Sequence, residues 1–111
     1  MTIEELQKQV IAFRDERNWK QFHNPKDVAL SLSLEASELL ENFQWKTSDE
    51  ALAVNRDNIT DELADVVIYA LLFADEAQID LAKAVQQKIK KNALKYPVEK
   101  AKGNKSKYTE L

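Results

Sequence analysis

The sequence contains no cysteine, one histidine, one glycine and two prolines among its 111 residues. Without cysteine, the chain cannot form a disulfide scaffold, a thiolate zinc site, an iron–sulfur cluster or a cysteine nucleophile. Its one histidine, His23, excludes a metal site with several histidine ligands. Few glycines and prolines leave little material for the tight turns of a many-stranded sandwich or for a glycine-rich phosphate loop. These absences favour an all-α protein.

An excess of positive charge and a long hydrophobic run are also missing. The 16 Lys and Arg residues face 19 Asp and Glu residues, for a formal charge of −3. This balance does not favour binding to duplex nucleic acid. The N-terminal segment carries charges throughout, unlike a signal peptide, and the longest apolar stretch, residues 66–74, is too short to span a membrane. We therefore expect a single-domain cytoplasmic protein that binds neither nucleic acid nor a membrane.

Apolar residues at helical spacing predict two helices in the first third of the chain. The first spans about residues 2–17, and its apolar stripe consists of Ile3, Leu6, Val10 and Phe13. Asn24 followed by Pro25 predicts the start of a second helix, which runs to about Phe43. Leucines alternate with serines over residues 30–34, as in a strand, but the helix-forming residues that follow without a turn signal favour the helix.

The rest of the chain is expected to form a short connecting helix and two long helices. Ser48 is the expected N-cap of the connecting helix, which extends through residue 54 and is followed by a third helix over residues 56–77. Asp80 is expected to cap a fourth helix that ends by Tyr96, because Pro97 follows. We assign residues 1–96 to one helical domain and residues 97–111 to a mobile, lysine-rich tail.

The third helix also predicts self-association. Between Leu63 and Ala74 it is apolar on every side, as expected of a helix that is buried all round. The short helices of one 111-residue chain can hardly enclose such a helix. We therefore expect a homo-oligomer, most simply a tetramer.

Two pairs of carboxylates are the strongest chemical signal. Glu35 and Glu38 are three residues apart, as are Glu62 and Asp65, so each pair shares one helix face beside an apolar run. Burial of like charges raises their pKa values and destabilises the fold unless a cation lies among them. One such pair alone is commonly solvated, whereas two pairs on consecutive long helices favour a metal site. Oxygen ligands without histidine or cysteine favour Mg²⁺, or alternatively Mn²⁺.

These two pairs, in this order, resemble the E-x-x-E and E-x-x-D signature of the MazG-type all-α nucleoside triphosphate pyrophosphohydrolases. Residues 17–26, 43–46, 61–66, 95–97 and 107–111 are similar to the dCTP pyrophosphatase branch of that family, so the resemblance covers nearly the whole chain. It implies a four-helix bundle that hydrolyses a nucleoside triphosphate between its α and β phosphorus atoms, in nucleotide-pool housekeeping. The expected substrate is dCTP or a modified dCTP, and the catalytic metal ligands are Glu35, Glu38, Glu62 and Asp65.

The resemblance also implies substrate-binding residues. The base pocket is expected to include Phe13, Trp19, His23 and Trp45. Lys88, Asn92 and Tyr96 share a face of the last helix through their spacing of four, and the resemblance places this stripe at the phosphates. Spacing alone also allows a solvated Lys88, a packing role for Tyr96 and ordinary core positions for the aromatic residues. For His23, beside Pro25, the alternative is a local hydrogen-bonding role at the start of the second helix.

Val10 stands where similar enzymes can carry a histidine that faces the base. Because valine has no hydrogen-bonding side chain, we expect pyrimidine deoxynucleotides to be preferred with a relaxed selectivity for cytosine. A di-iron bundle is excluded because it needs two Glu-x-x-His pairs. The remaining alternative is a non-catalytic helical adaptor of the same fold, which would have no reason to keep four crowded carboxylates.

Overall fold

A computed structural model describes residues 1–111, and its regular secondary structure is entirely helical. The five α-helices are α1 (Ile3–Glu16), α2 (Pro25–Glu41), α3 (Ser48–Glu76), α4 (Leu81–Lys95) and α5 (Val98–Ala101). Two 3-10 turns span Trp19–Phe22 and Tyr108–Glu110. The all-α prediction is confirmed, and the alternating leucines of residues 30–34 lie within α2. None of the helices contains an apolar stretch that could span a membrane.

Side-chain caps fix where the helices begin. The Oδ1 atom of Asn24 accepts a hydrogen bond from the Asp27 amide at 2.9 Å, and Pro25 occupies the first turn of α2, as predicted. The expected N-cap of the next helix was wrong by one residue. Thr47, rather than Ser48, accepts a hydrogen bond from the Glu50 amide at 3.2 Å, so Ser48 is already helical.

The expected connecting helix and third helix are the two arms of α3, and they meet at a kink at Asn55, the residue where the sequence separated them. The backbone of Asn55 is non-helical, with φ −116° and ψ 17°, and its side chain donates to the Asn42 carbonyl at 2.8 Å. Neither glycine nor proline interrupts the segment, so the helix resumes after the kink. The contact also ties the C-terminal end of α2 to α3.

Residues 1–79 form one compact unit in which α1 and α2 pack against α3. The buried apolar residues of this unit are Val28, Ala51, Leu71, Leu72 and Ala74. Asn42, which is also buried, donates to the carbonyls of Glu38 and Leu39 and accepts from Asn58 Nδ2 at 2.8 Å. These polar bonds hold the Glu38 end of α2 beside α3.

A buried ionic network attaches α1 to the end of α3. The Arg14 side chain is 4% exposed; it donates from Nη1 to Asp75 at 2.8 Å and from Nε to Asp15 at 2.9 Å. Glu76 lies 3.7 Å from the same Nη1. Burial alone lowers the pKa of the Arg14 guanidinium, but the hydrogen bonds to Asp15 and Asp75 outweigh it and the pKa is raised. Arg14 is therefore a charged core residue of this unit.

A single chain leaves large apolar side chains of α2 and α3 in solvent. Leu34 is 63% exposed, and Leu63, the first residue of the segment expected to be buried all round, is 53% exposed. In a monomer, apolar side chains of the helix that the sequence predicts to be buried all round, such as Leu63 and Val67, are therefore exposed to solvent.

Residues 80–111 form a second unit, built from α4 and the tail. Asp80 caps α4 by accepting from the Lys83 amide at 3.1 Å, and the helix ends before Tyr96, both as predicted. Within the tail, the Tyr108 ring packs edge-on against Tyr96 with a centroid separation of 6.0 Å. The helical segments of the tail are a finding that its lysine-rich composition did not predict.

Candidate metal and nucleotide site

A cluster of carboxylates forms where α2 and α3 pack. Glu35 of α2 and both Glu62 and Asp65 of α3 can each place one carboxylate oxygen within 4.8 Å of the others. Glu38, one turn along α2, lies near enough to raise the pKa values of Glu35 and Glu62. The structure thus brings the four predicted acids together, with three of them in the tightest group.

The electrostatics of this acidic cluster are unfavourable without a cation. Burial is the largest cause that raises the pKa of Glu35, to about 7, and the neighbouring carboxyl groups raise it further. Burial, followed by Glu38, likewise raises the pKa of Glu62. The Oε2 atoms of Glu35 and Glu62 are buried and have no hydrogen-bond partner. Two buried, unpartnered carboxylate oxygens with the Asp65 carboxylate beside them fit a hard divalent cation such as Mg²⁺.

A cavity of about 680 Å³ lies between α1 and α3 and shares Asp65 with the acidic cluster. Its wall is mainly apolar and includes four residues that the sequence analysis associated with a base pocket: Val10, Phe13, Trp19 and His23. The remaining lining residues are Leu6, Gln9, Arg14, Ala64, Asp65, Val67, Ile68, Tyr69, Leu71 and Leu72. A predominantly apolar cavity with a few polar groups is typical of small-molecule sites.

The turn after α1 builds the aromatic side of the cavity. Asn18 has a left-handed backbone with φ 54°, which reverses the chain so that Trp19 packs on Phe13. The two rings meet edge to face at a centroid separation of 5.8 Å. The Arg17 guanidinium lies 3.6 Å from the centre of the Phe13 ring, within cation–π range. Trp19 is thus held by local contacts before any ligand is considered.

The structure does not bring Trp45 to this cavity. Trp45 follows α2 with a left-handed φ of 63°, and 91% of its surface is exposed. A pocket in which Trp19 and Trp45 flank one base is therefore not formed by residues 1–79 of one chain. The sequence carried no signal for the direction of this turn, so the exposure of Trp45 was not predictable.

The predicted phosphate-binding residues lie in the second unit. Lys88 and Asn92 are exposed residues of α4, and Tyr96 directly follows the helix. Their spacing of four residues places Lys88 and Asn92 one turn apart, as expected.

Tyr69 is a site residue that the sequence analysis missed. It lines the cavity, and its phenol pKa is raised first by burial and then by the charges of Glu35, Asp65 and Glu38. Tyr69 is thus close to both the cavity and the acidic cluster. It lies inside the apolar run of α3, where nothing in the sequence distinguishes it from a packing residue.

Comparisons with known proteins agree with this geometry. A model of the MazG-like family matches residues 30–111, which include the four acids. dCTP pyrophosphatase 1 of Homo sapiens is 38% identical, and that of Rattus norvegicus 37%, each over 115 aligned positions that cover 99% of this chain and 68% of the relative. A crystal structure of a pyrophosphatase from Archaeoglobus fulgidus has a TM-score of 0.79 at 44% identity and covers 86% of this chain and 92% of that chain.

Proposed function

The chain belongs to the MazG-like family and is a nucleoside triphosphate pyrophosphohydrolase, and from this premise we propose that it hydrolyses dCTP or a modified dCTP to the monophosphate and pyrophosphate in a Mg²⁺-dependent reaction. The observation that carries the proposal is the shared Asp65, which joins the acidic cluster to the aromatic cavity. A base in the cavity would then have its phosphates close to the carboxylates.

We propose Glu35, Glu38, Glu62 and Asp65 as the residues that hold Mg²⁺, with Mn²⁺ as an alternative ion. When bound, the ion supplies positive charge that offsets the triphosphate and polarises its phosphoryl oxygens. The protein contributes the fixed spacing of the acids, which the α2–α3 contacts of Asn42 and Asn55 maintain. Preorganised ligands avoid the free-energy cost of ordering them during the reaction.

Substrate binding is assigned to two groups of residues. Phe13 and Trp19 offer aromatic surface to the base, and His23 lies in the same wall. For the phosphates we propose Lys88, Asn92 and Tyr96, a cation, an amide and a phenol. Trp45 stays a candidate for substrate contact outside the described cavity.

The exposed leucines of α2 and α3 support a homo-oligomer, and we propose a tetramer in the cytoplasm. Four crowded acids, two of which (Glu35 and Glu62) have a buried oxygen without a partner, weigh against the alternative of a non-catalytic helical adaptor. An adaptor would be more stable with neutral side chains at these positions.

A nucleotide panel tests the proposed function. With Mg²⁺, pyrophosphate release should be faster for dCTP and 5-methyl-dCTP than for dTTP, and slowest for dATP. Excess EDTA should abolish it, because the acids would lack the cation. Turnover that persists in EDTA would contradict the metal site, and a preference for dATP would contradict the pyrimidine pocket. Absence of turnover with every nucleotide would favour the adaptor.

The increase in melting temperature that Mg²⁺ produces should depend on pH. The folded-state pKa of Glu35 is about 7, above its ordinary value of 4.5, so the folded chain binds more protons than the unfolded chain between these values. The metal-free protein therefore loses stability as pH rises through this window. Mg²⁺ competes with that proton and binds only the folded chain, so it should raise the melting temperature more at about pH 8 than at about pH 6. Differential scanning calorimetry measures both trends, and an equal Mg²⁺ effect at the two pH values would contradict them.

A further inference from the structure

The C-terminal tail folds back onto the end of α4. Helix α5 begins directly after Pro97, and Gly103 then takes a left-handed backbone with φ 74°, which reverses the chain. Hydrogen bonds hold this return, since the Asn104 amide donates to the Ala101 carbonyl at 2.9 Å and Asn104 Oδ1 accepts from the Ser106 amide at 2.9 Å. The closing 3-10 turn therefore lies beside the residue at which α4 ends.

Tyr108, the first residue of that 3-10 turn, contacts two side chains at the end of α4. Its ring meets the Tyr96 ring edge to face, with a centroid separation of 6.0 Å and an interplanar angle of 82°. The Lys95 Nζ atom lies 4.9 Å from the centre of the Tyr108 ring. The Tyr96 backbone has already left the helix, with φ −124° and ψ 67°. A side chain at such a position has more than one rotamer open to it, and the Tyr108 ring restricts that choice.

A hydrophobic core does not explain why the tail returns to α4. No residue of the second unit is buried, and both rings keep accessible surface, with Tyr96 37% and Tyr108 48% exposed. Ordering the tail costs conformational entropy that so little buried apolar surface hardly offsets. The result of this ordering is that the Tyr96 phenol is held in place and yet stays accessible to a ligand.

We infer that Tyr108 is a positioning residue for the triphosphate, which holds the Tyr96 phenol in the orientation in which its hydroxyl donates to a phosphate oxygen. This inference rests on the proposed function, which assigns Tyr96 to the phosphates. A hydrogen bond to a charged phosphate is stronger than one between neutral groups, and it costs less to form when the donor is already ordered. Tyr108 acts through Tyr96 and needs no contact with the substrate.

Binding of tripolyphosphate with Mg²⁺ tests this role, because tripolyphosphate carries the phosphate chain without a base. Calorimetry should show binding weaker by about three- to tenfold for Tyr108→Ala, the range expected when an edge-to-face aromatic contact is lost. Tyr108→Phe keeps the ring and should bind within about twofold of the wild type. Thr109→Ala is the matched control, since it shortens the neighbouring side chain of the same 3-10 turn and leaves both rings in place.

A double substitution separates positioning from a general effect on stability. Once Tyr96→Phe has removed the hydroxyl, the addition of Tyr108→Ala should weaken tripolyphosphate binding no further, because the two residues act as one unit. Tyr108→Leu, which keeps an apolar side chain, replaces Tyr108→Ala if a thermal melt shows the latter to be unfolded. Wild-type affinity in the folded Tyr108 variant, or an equal loss in the wild-type and Tyr96→Phe backgrounds, would overturn the inference.

The kcat/KM for dCTP distinguishes failure of this inference from failure of the proposed function. Wild-type hydrolysis of dCTP, together with unchanged tripolyphosphate binding and unchanged kcat/KM in Tyr108→Ala, would overturn the inference and leave the proposed function intact. The expected pattern of tripolyphosphate binding supports the inference even if dCTP is not hydrolysed. A wild type that neither binds tripolyphosphate nor hydrolyses dCTP would overturn both.

Discussion

Asp65→Asn is expected to lower kcat for dCTP by on the order of 10³-fold or more. Asp65 lies in the tightest group of acids and also lines the cavity, so its loss weakens the metal site where substrate and metal would meet. A bound divalent ion contributes several kcal/mol of charge stabilisation to phosphoryl transfer, and each 1.4 kcal/mol is about tenfold in rate. Steady-state pyrophosphate release with Mg²⁺ measures the effect.

The same substitution should stabilise the metal-free protein although it lowers activity. The charge of Asp65 raises the pKa values of Glu35 and Glu62, so its removal relieves repulsion within the cluster. In EDTA, Asp65→Asn should melt above the wild type, and Mg²⁺ should add less to its melting temperature. Asp61→Asn is the matched control, since it removes the same charge from an exposed position of α3. Equal loss of activity in the two variants would contradict a specific role for Asp65.

Arg14→Met should destabilise the folded chain by about 3 kcal/mol. The substitution removes the nearer cation from Asp75 and Glu76, whose side chains are only 26% and 12% exposed, and leaves them the exposed Lys20 at 4.0 and 3.9 Å. Removal of one partner from a buried ion pair typically costs about 3–5 kcal/mol because the remaining charge is uncompensated. Urea unfolding at a fixed protein concentration measures the change, so that any oligomerisation contributes equally.

Arg17→Met provides the control for Arg14. Arg17 is 41% exposed, and its partner Glu16 lies 3.7 Å away with 72% exposure. Exposed pairs of this kind contribute about 1 kcal/mol or less. A cost for Arg14→Met as small as that for Arg17→Met would show that the network does not hold α1 to α3.

Local signals predicted the helices well because the helix ends depend on nearby residues. Asn24 with Pro25 marked the start of α2, and Asp80 marked the start of α4. The sequence also separated the connecting helix from the third helix at residue 55, where the kink of α3 lies, but it did not predict that α3 continues past this residue. Its kink depends on the contact of Asn55 with Asn42, which is 13 residues away in sequence.

The part of the candidate site that the sequence predicted consists of acidic residues repeated at helical spacing. The paired acids were found because spacing of three places them on one face, and packing of α2 on α3 then brought the pairs together. Tyr69 and Arg14 were missed because their roles depend on contacts between helices. Trp45 was expected in the same base pocket as Trp19. Its backbone is left-handed, and its side chain lies in solvent outside the described cavity.

Phosphorus NMR of the products formed from dCTP tests the central claim most directly. With wild-type protein and Mg²⁺, the account predicts equal amounts of dCMP and pyrophosphate, with no orthophosphate. In Asp65→Asn these signals should be almost absent over the same period, whereas Asp61→Asn should give the wild-type spectrum. Orthophosphate with dCDP as the first products, or full dCMP formation by Asp65→Asn, would contradict cleavage between the α and β phosphorus atoms at this acidic cluster.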